Sequence, residues 1–268
     1  MRHALFLPPF GEFARPQAVM ELAVAAEGAG WDGLFLWDHM WRPPEDVEDV
    51  ADAWITLAGV AAVTRHIRLG TAITPLTRRR PHKVARETVT LDHLSDGRLT
   101  LGVGLGVNTG GELERFGEVA DQAVMAERLD EALEVILGLW SGEVVNHHGR
   151  YFKVDNVRFQ PGPVQRPRIP VWGAANGGCG PKPLRRAARL DGLFPVRTTY
   201  EQLAGMLAVI AEERGSMEGF DVAMQVAPDA DLRELENAGA TWAMWPSYGE
   251  AVADVVAFAR AGPGARGR

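Results

Sequence analysis

The sequence predicts one (β/α)8 TIM barrel of the α/β class, and three observations carry that expectation. Short apolar runs of strand type alternate with longer helical patterns along the whole chain, as parallel βαβ units require. About eight strand–helix pairs can be traced, the count that closes a barrel. The length, 268 residues, suits the ~250 residues such a barrel needs as a single domain.

The series begins with a strand over Ala4–Leu7 and a helix over Pro16–Ala29. Pro16 suits a first helical turn, and Gly28 and Gly30 suit its end. Gly33–Trp37 is the second strand, followed by a helix near Asp49–Thr64, and Ile67–Thr71 is the third. A helix over His82–Leu94 stops at the turn signal Ser95-Asp96-Gly97, and Leu99–Val103 is the fourth strand. Over Met125–Trp140, residues Leu129, Leu133, Ile136, Leu137 and Trp140 form a helical apolar stripe. Pro161, Pro163, Pro167 and Pro170 mark Gly142–Pro170 as an irregular excursion between barrel strands four and five. The alternation resumes with strands over Val171–Gly173, Gly192–Val196, Val222–Val226 and Ala240–Trp245. Their helices are expected near Pro183–Arg189, Tyr200–Arg214, Asp231–Ala238 and Gly249–Ala261. The barrel thus spans 1–261, and 262–268 reads as a disordered tail. An open doubly wound sheet would want a glycine fingerprint after the first strand, where Pro8-Pro9-Phe10-Gly11 stands instead.

Composition narrows the function classes. With 46% hydrophobic and 24% charged residues the chain reads as an ordinary soluble protein. A net charge of -7 argues against a nucleic-acid surface, and the Trp residues are too scattered for a base-stacking platform. The single Cys179 excludes an internal disulfide and a cysteine metal cage, so no metal is expected. Pro8, Pro9 and Glu12 break the N-terminal apolar run, and no run approaches the ~20 apolar residues of a membrane helix. The expected location is the cytoplasm. Arginine far outnumbers Lys83, Lys153 and Lys182, which suggests a GC-rich genome.

In a parallel barrel the chemistry sits at the C-terminal strand ends, and four such places stand out. Trp37-Asp38-His39-Met40-Trp41 follows strand two; a histidine there can exchange a proton near neutrality, or can serve as a structural residue tied to Asp38 or to backbone. Leu69–Pro75 follows strand three, where the small residues Gly70, Thr71 and Ala72 would let a flat ring approach, or would form a plain strand end. Gly102–Gly111 carries glycines that permit close ligand contact, a weak signal taken alone. Trp172–Gly180 places small residues before a helix, exposing N–H groups to an anion, with Arg185 and Arg186 able to add charge; a flexible loop reads as well. His147-His148 lacks metal-pair spacing, and Arg78-Arg79-Arg80 reads as a solvated charge run.

In order and spacing, four stretches resemble the luciferase-like flavin oxidoreductase family. They are GWDGLFLWDHMW, RLGTAITPLTRRRPHKVARETVTLDHLSDGRLTLGVGLG, RLDEALEVILGLWSGE and HGRYF…PVQRPRIPVWGAA. The resemblance implies a ring site at the barrel mouth, braced after strand three at Ala72, Ile73 and Thr74 with a non-prolyl cis bond at Ala72-Ile73. It matches Gly104, Leu105, Gly106 and Asn108 to positions lining the cofactor, and Ala174, Ala175, Asn176, Gly177 and Gly178 to the phosphate loop. His39 matches the acid/base position of the deazaflavin members, with Asp38 as a candidate to set its tautomer. Asp38-His39-Met40 is closer to the deazaflavin members than to flavin monooxygenases, which often carry Glu-His-His. The implied cofactor is F420, with FMN the alternative; Val107, where sugar-phosphate dehydrogenases carry Glu, speaks against a sugar-phosphate substrate. The implied activity is hydride transfer with a small-molecule substrate. An FMN-dependent monooxygenase and a silent flavin-binding protein are the rivals. A separate flavin or F420 reductase and a homodimeric assembly complete the expectation.

Overall fold

The computed structural model describes residues 1–43, 45, 49–227 and 230–264. Eight parallel strands close a barrel, in the order β1 (Arg2–Leu7), β10 (Trp242–Pro246), β9 (Asp221–Gln225), β8 (Gly192–Val196), β7 (Val171–Asn176), β4 (Leu99–Gly104), β3 (Arg68–Pro75) and β2 (Gly33–Trp37). Helices α1 (Pro16–Gly28), α2 (Ala53–Val63), α3 (Pro81–Leu94), α4 (Gln122–Trp140), α5 (Pro181–Ala188), α6 (Tyr200–Arg214), α7 (Leu232–Asn237) and α8 (Val252–Ala261) surround it. The expected α/β barrel is therefore the fold. Residues 265–268 of the expected tail lie outside the described residues, and Gly262 ends α8 with φ 83°.

Local chemistry sets the helix ends. Asp52 caps α2 by accepting from Ile55 N at 2.8 Å. Thr199 and Gln202 form a capping box on α6, which stops at Gly215 in the left-handed region, φ 74°. The excursion between β4 and β7 is more ordered than expected. It carries an antiparallel hairpin, β5 (Val144–His148) and β6 (Lys153–Arg158). These strands are largely exposed, so they lack the apolar alternation that announces a strand. Glu131 on α4 anchors their turn by accepting from Tyr151 N and, at 2.7 Å, from Phe152 N. His147 belongs to this clip, its Nε2 3.1 Å from Glu131.

The core has two parts. Aliphatic residues of the helices pack on the outside of the sheet. Inside the barrel, Ala4, Phe6, Phe35, Ala72, Trp172, Phe194, Ala223, Trp242 and Met244 form a largely aromatic plug. Phe35 stacks on Trp172 at 4.9 Å, and Trp242 stands edge-on to Trp172 at 5.5 Å. Gly192 makes room for the plug, since a Cβ there would lie 2.5 Å from Trp172 Cδ1. The plug fills the lower barrel, so a ligand can enter only from the C-terminal mouth. Near the opposite end, Arg98 is buried and donates to the carbonyls of Ser95, Ile67, Ala61 and Thr64 and to the Thr64 hydroxyl.

Candidate functional site

A cavity of about 610 Å³ opens at the C-terminal ends of the strands. Its walls come from consecutive barrel strands. They are Phe6 on β1, Trp37 on β2, Ile73 and Pro75 on β3, Gly104 on β4, Ala174 and Asn176 on β7, and Phe194 and Val196 on β8. The loop after β4 adds Leu105–Asn108, Glu112 and Leu113. Inward residues alternate along a strand, so the walls above the plug are set by the same period that builds it.

His39 enters this cavity on a chain of charges. Its Nδ1 lies 2.7 Å from Glu112 Oε2, while Glu112 Oε1 accepts from Met40 N and from Arg78 Nη1, both at 2.6 Å. Arg78 continues to the Asp38 carbonyl at 2.7 Å and to its carboxylate at 3.1 Å. Arg79 donates to the Asp38 carboxylate at 2.8 Å, and Trp54 Nε1 donates to it at 3.2 Å. Burial alone would raise the Glu112 carboxyl. The hydrogen bond and charge of His39, the Met40 N–H and the Arg78 guanidinium prevail and hold it at about 2. An ionised Glu112 only accepts, so Nδ1 carries the proton and Nε2 is the nitrogen left for a ligand.

Two expectations change here. Asp38 reaches the cavity wall with its buried carboxylate committed to Arg78, Arg79 and Trp54, and Glu112 is the partner of His39. Only Arg80 of the arginine run is exposed: the Arg78 side chain is 2% exposed and that of Arg79 18%. Sequence spacing could not join residues 39, 78 and 112. The available signal was an acid in the loop after strand four, at the height where a strand-two histidine would seek a partner.

Of the expected cofactor residues, Ile73, Gly104, Leu105, Gly106, Asn108, Ala174, Ala175 and Asn176 line the cavity. Ala72 and Thr74 are fully buried beneath it, and Gly177 and Gly178 lie outside its wall. Gly70 serves the sheet rather than a ring, since a Cβ there would meet the Thr100 carbonyl at 1.9 Å. The bulge after strand three is present. The β2–β3 register shifts at Leu36/Trp37, the β3–β4 register shifts between Thr71 and Thr74, and the two threonine hydroxyls bond at 2.7 Å across it. The Ala72–Ile73 bond is trans, however; the cis bonds among the described residues are Gln160–Pro161 and Arg166–Pro167.

The cavity floor suits a flat ring. A Cβ on Gly104 would stand 2.8 Å from Ile73 Cγ2 and 3.2 Å from Ala174 Cβ, so these three residues lie side by side with no room for more. The 174–178 segment is less generous to a phosphate than expected. Gly177 N already donates to the Val196 carbonyl and Cys179 N to that of Asn176. Pro181 and Pro183 remove two N–H groups from the first turn of α5. Arg185 and Arg186 pair with Glu213 and Asp130. Gly177 itself is needed by the fold, as a Cβ there would meet the Arg197 carbonyl at 2.8 Å. Residues that sequence reasoning passed over include Glu112 as the partner of His39, and Arg197 and Gln225 on the lining. Among the described residues no group of three His, Cys, Asp or Glu side chains could hold a metal ion, and no helix is long and apolar enough to cross a membrane.

Fold and site together define a (β/α)8 barrel with a buried-acid-supported histidine over a small-residue floor. The chain belongs to the luciferase-like monooxygenase family, whose model matches residues 2–259. It is 33% identical over 189 residues to an F420-dependent glucose-6-phosphate dehydrogenase of Nakamurella multipartita, covering 67% of this chain and 52% of that protein. It is 35% identical over 167 residues to an F420-dependent hydroxymycolic acid dehydrogenase of Mycobacterium tuberculosis, covering 61% and 45%. The chain thus spans about half the length of these curated relatives. In fold it is similar to an F420-dependent secondary alcohol dehydrogenase solved with an F420-acetone adduct. The TM-score is 0.83 at 20% identity, over 98% of both chains.

Proposed function

We propose that the protein is an oxidoreductase that moves a hydride between the deazaflavin F420 and a small organic substrate. The carrying observation is His39, held through Nδ1 by Glu112 and Arg78 at the edge of the cavity. The F420-dependent names of the relatives support the cofactor, as does the floor of Ile73, Gly104 and Ala174. When bound, the deazaflavin supplies a carbon that accepts or releases a hydride. The chain's part is to bind and orient. Leu105, Gly106 and Asn108 would hold the ring from the β4 loop and Asn176 the start of its tail, while Phe6, Trp37 and Phe194 exclude water. His39 Nε2 would give the substrate oxygen its proton or remove it, with Glu112 stabilising the charged ring.

Fluorescence titration with F420 and with FMN tests the reading. Tighter F420 binding is expected, and a clear preference for FMN would favour the monooxygenase rival. Binding of F420 without turnover of any alcohol or carbonyl compound would favour the silent flavin-binding protein. A homodimer and a separate reductase belong to the same reading. The exposed apolar side chains Val24 on α1 and Ile55 and Val63 on α2 support the dimer, which light scattering would check.

A further inference from the structure

Arg197 closes β8 in the left-handed region, φ 48°, which side chains with a Cβ seldom adopt. Its exposed side chain lines the main cavity and also a second one of about 260 Å³, walled by Thr198, Met224, Gln225 and Pro246. The other arginine on this cavity wall, Arg186, is neutralised by Asp130, and Arg78 and Arg79 behind it by Asp38. Among the described residues Arg197 has no hydrogen-bond, ion-pair or ring partner.

The chain holds this conformation from both sides. Gly177 N donates to the Val196 carbonyl at 2.9 Å, and the missing side chain of Gly177 is what lets β7 close on the Arg197 carbonyl. The Thr198 hydroxyl donates to the same Val196 carbonyl at 3.0 Å, and Thr199 begins α6 with its capping box. A strained, firmly held residue that presents an unneutralised guanidinium to a cavity mouth is placed for recognition rather than for stability.

We infer that Arg197 receives an anionic group of the substrate, a carboxylate or phosphate, and that the enzyme's substrates are small molecules bearing such a group. A guanidinium matches an oxyanion with two parallel N–H donors. The inference rests on the F420 reading, which puts the cofactor over β3, β4 and β7 and leaves the side of β8 and β9, with Arg197 and Gln225, to the substrate. The anionic tail of the cofactor offers the same chemistry, so the test separates the two sources.

Inorganic phosphate and acetate are titrated into F420-loaded protein at constant ionic strength and followed by calorimetry. F420 itself, and the deazaflavin nucleoside that lacks the phosphate-bearing tail, are titrated into cofactor-free protein. Wild type, Arg197→Gln and Arg197→Asn are compared; asparagine keeps the left-handed backbone should glutamine disturb the fold. Arg233→Gln on the exposed face of α7 controls for the charge change. The expected result is saturable anion binding in the wild type and the control, at least tenfold weaker in both Arg197 variants, with F420 affinity unchanged. No saturable binding, or equal affinity in wild type and variants, overturns the inference and leaves the cofactor reading intact. A loss of F420 affinity without loss of nucleoside affinity overturns it by giving Arg197 to the cofactor tail. A wild type that binds no deazaflavin removes the underlying reading and the inference with it.

Discussion

Glu112→Gln keeps the shape of the side chain and removes the charge between His39 and Arg78. The magnitude follows from the carboxyl's position. It is held at about 2 against an ordinary 4.5, and at about 1.4 kcal/mol per pH unit the gap is worth roughly 3 kcal/mol of folding stability. The folded-state pKa is depressed, so this contribution is fully present above the unfolded value and is lost as pH falls from 4.5 towards 2. At pH 3 the same linkage leaves about 1.4 kcal/mol. Urea unfolding of wild type and variant at pH 7 and pH 3 reads both figures. A difference near 3 kcal/mol that falls below half at pH 3 is expected. A difference under ~0.5 kcal/mol at pH 7, or one that is equal at both pH values, would refute the assignment of Glu112 as the ionised support of His39.

His39→Ala should lower turnover by about 10²–10⁴-fold while F420 affinity in a fluorescence titration stays the same; normal turnover by a folded variant would end the acid/base role. Gly104→Val inserts atoms where a Cβ would already lie 2.8 Å from Ile73, so it should weaken F420 binding at least tenfold and also lower the melting temperature of the folded protein. Unchanged affinity would move the ring off this floor. Arg98→Met leaves four carbonyls and a hydroxyl without their donor and should cost about 3–5 kcal/mol in urea unfolding; a loss under ~1 kcal/mol would show that water replaces the guanidinium.

The barrel was legible because its signals are local. Pro16 at the start of α1, the Ser95-Asp96-Gly97 turn after α3 and the apolar stripe of α4 each fix an element within a few residues. The β5–β6 hairpin was not legible, because exposed strands pair through backbone and leave no apolar alternation. Strand ends drifted for a related reason. β3 runs on to Pro75 because its bulge, closed by Thr71 and Thr74 hydroxyls, keeps it paired beyond the regular register.

The site divides along the same line. His39 and the Gly104–Asn108 loop could be placed because strand-end position alone puts them at the mouth. The state of His39 could not, because it depends on residues brought together by closure of the barrel. Glu112 comes from 73 positions further along the chain and Arg78 from the short helical turn that follows β3. An arginine run looks the same in sequence whether water or a buried carboxylate receives it, and only the position of Asp38 decides. Burying Arg78 without Glu112 and Asp38 would leave a charge uncompensated, and the two acids would repel without Arg78. The three residues and His39 therefore form one unit. Its effect is to fix the Nδ1 proton on Glu112 and present Nε2 to whatever the cavity holds, which is the orientation a proton-exchanging histidine needs before any substrate arrives.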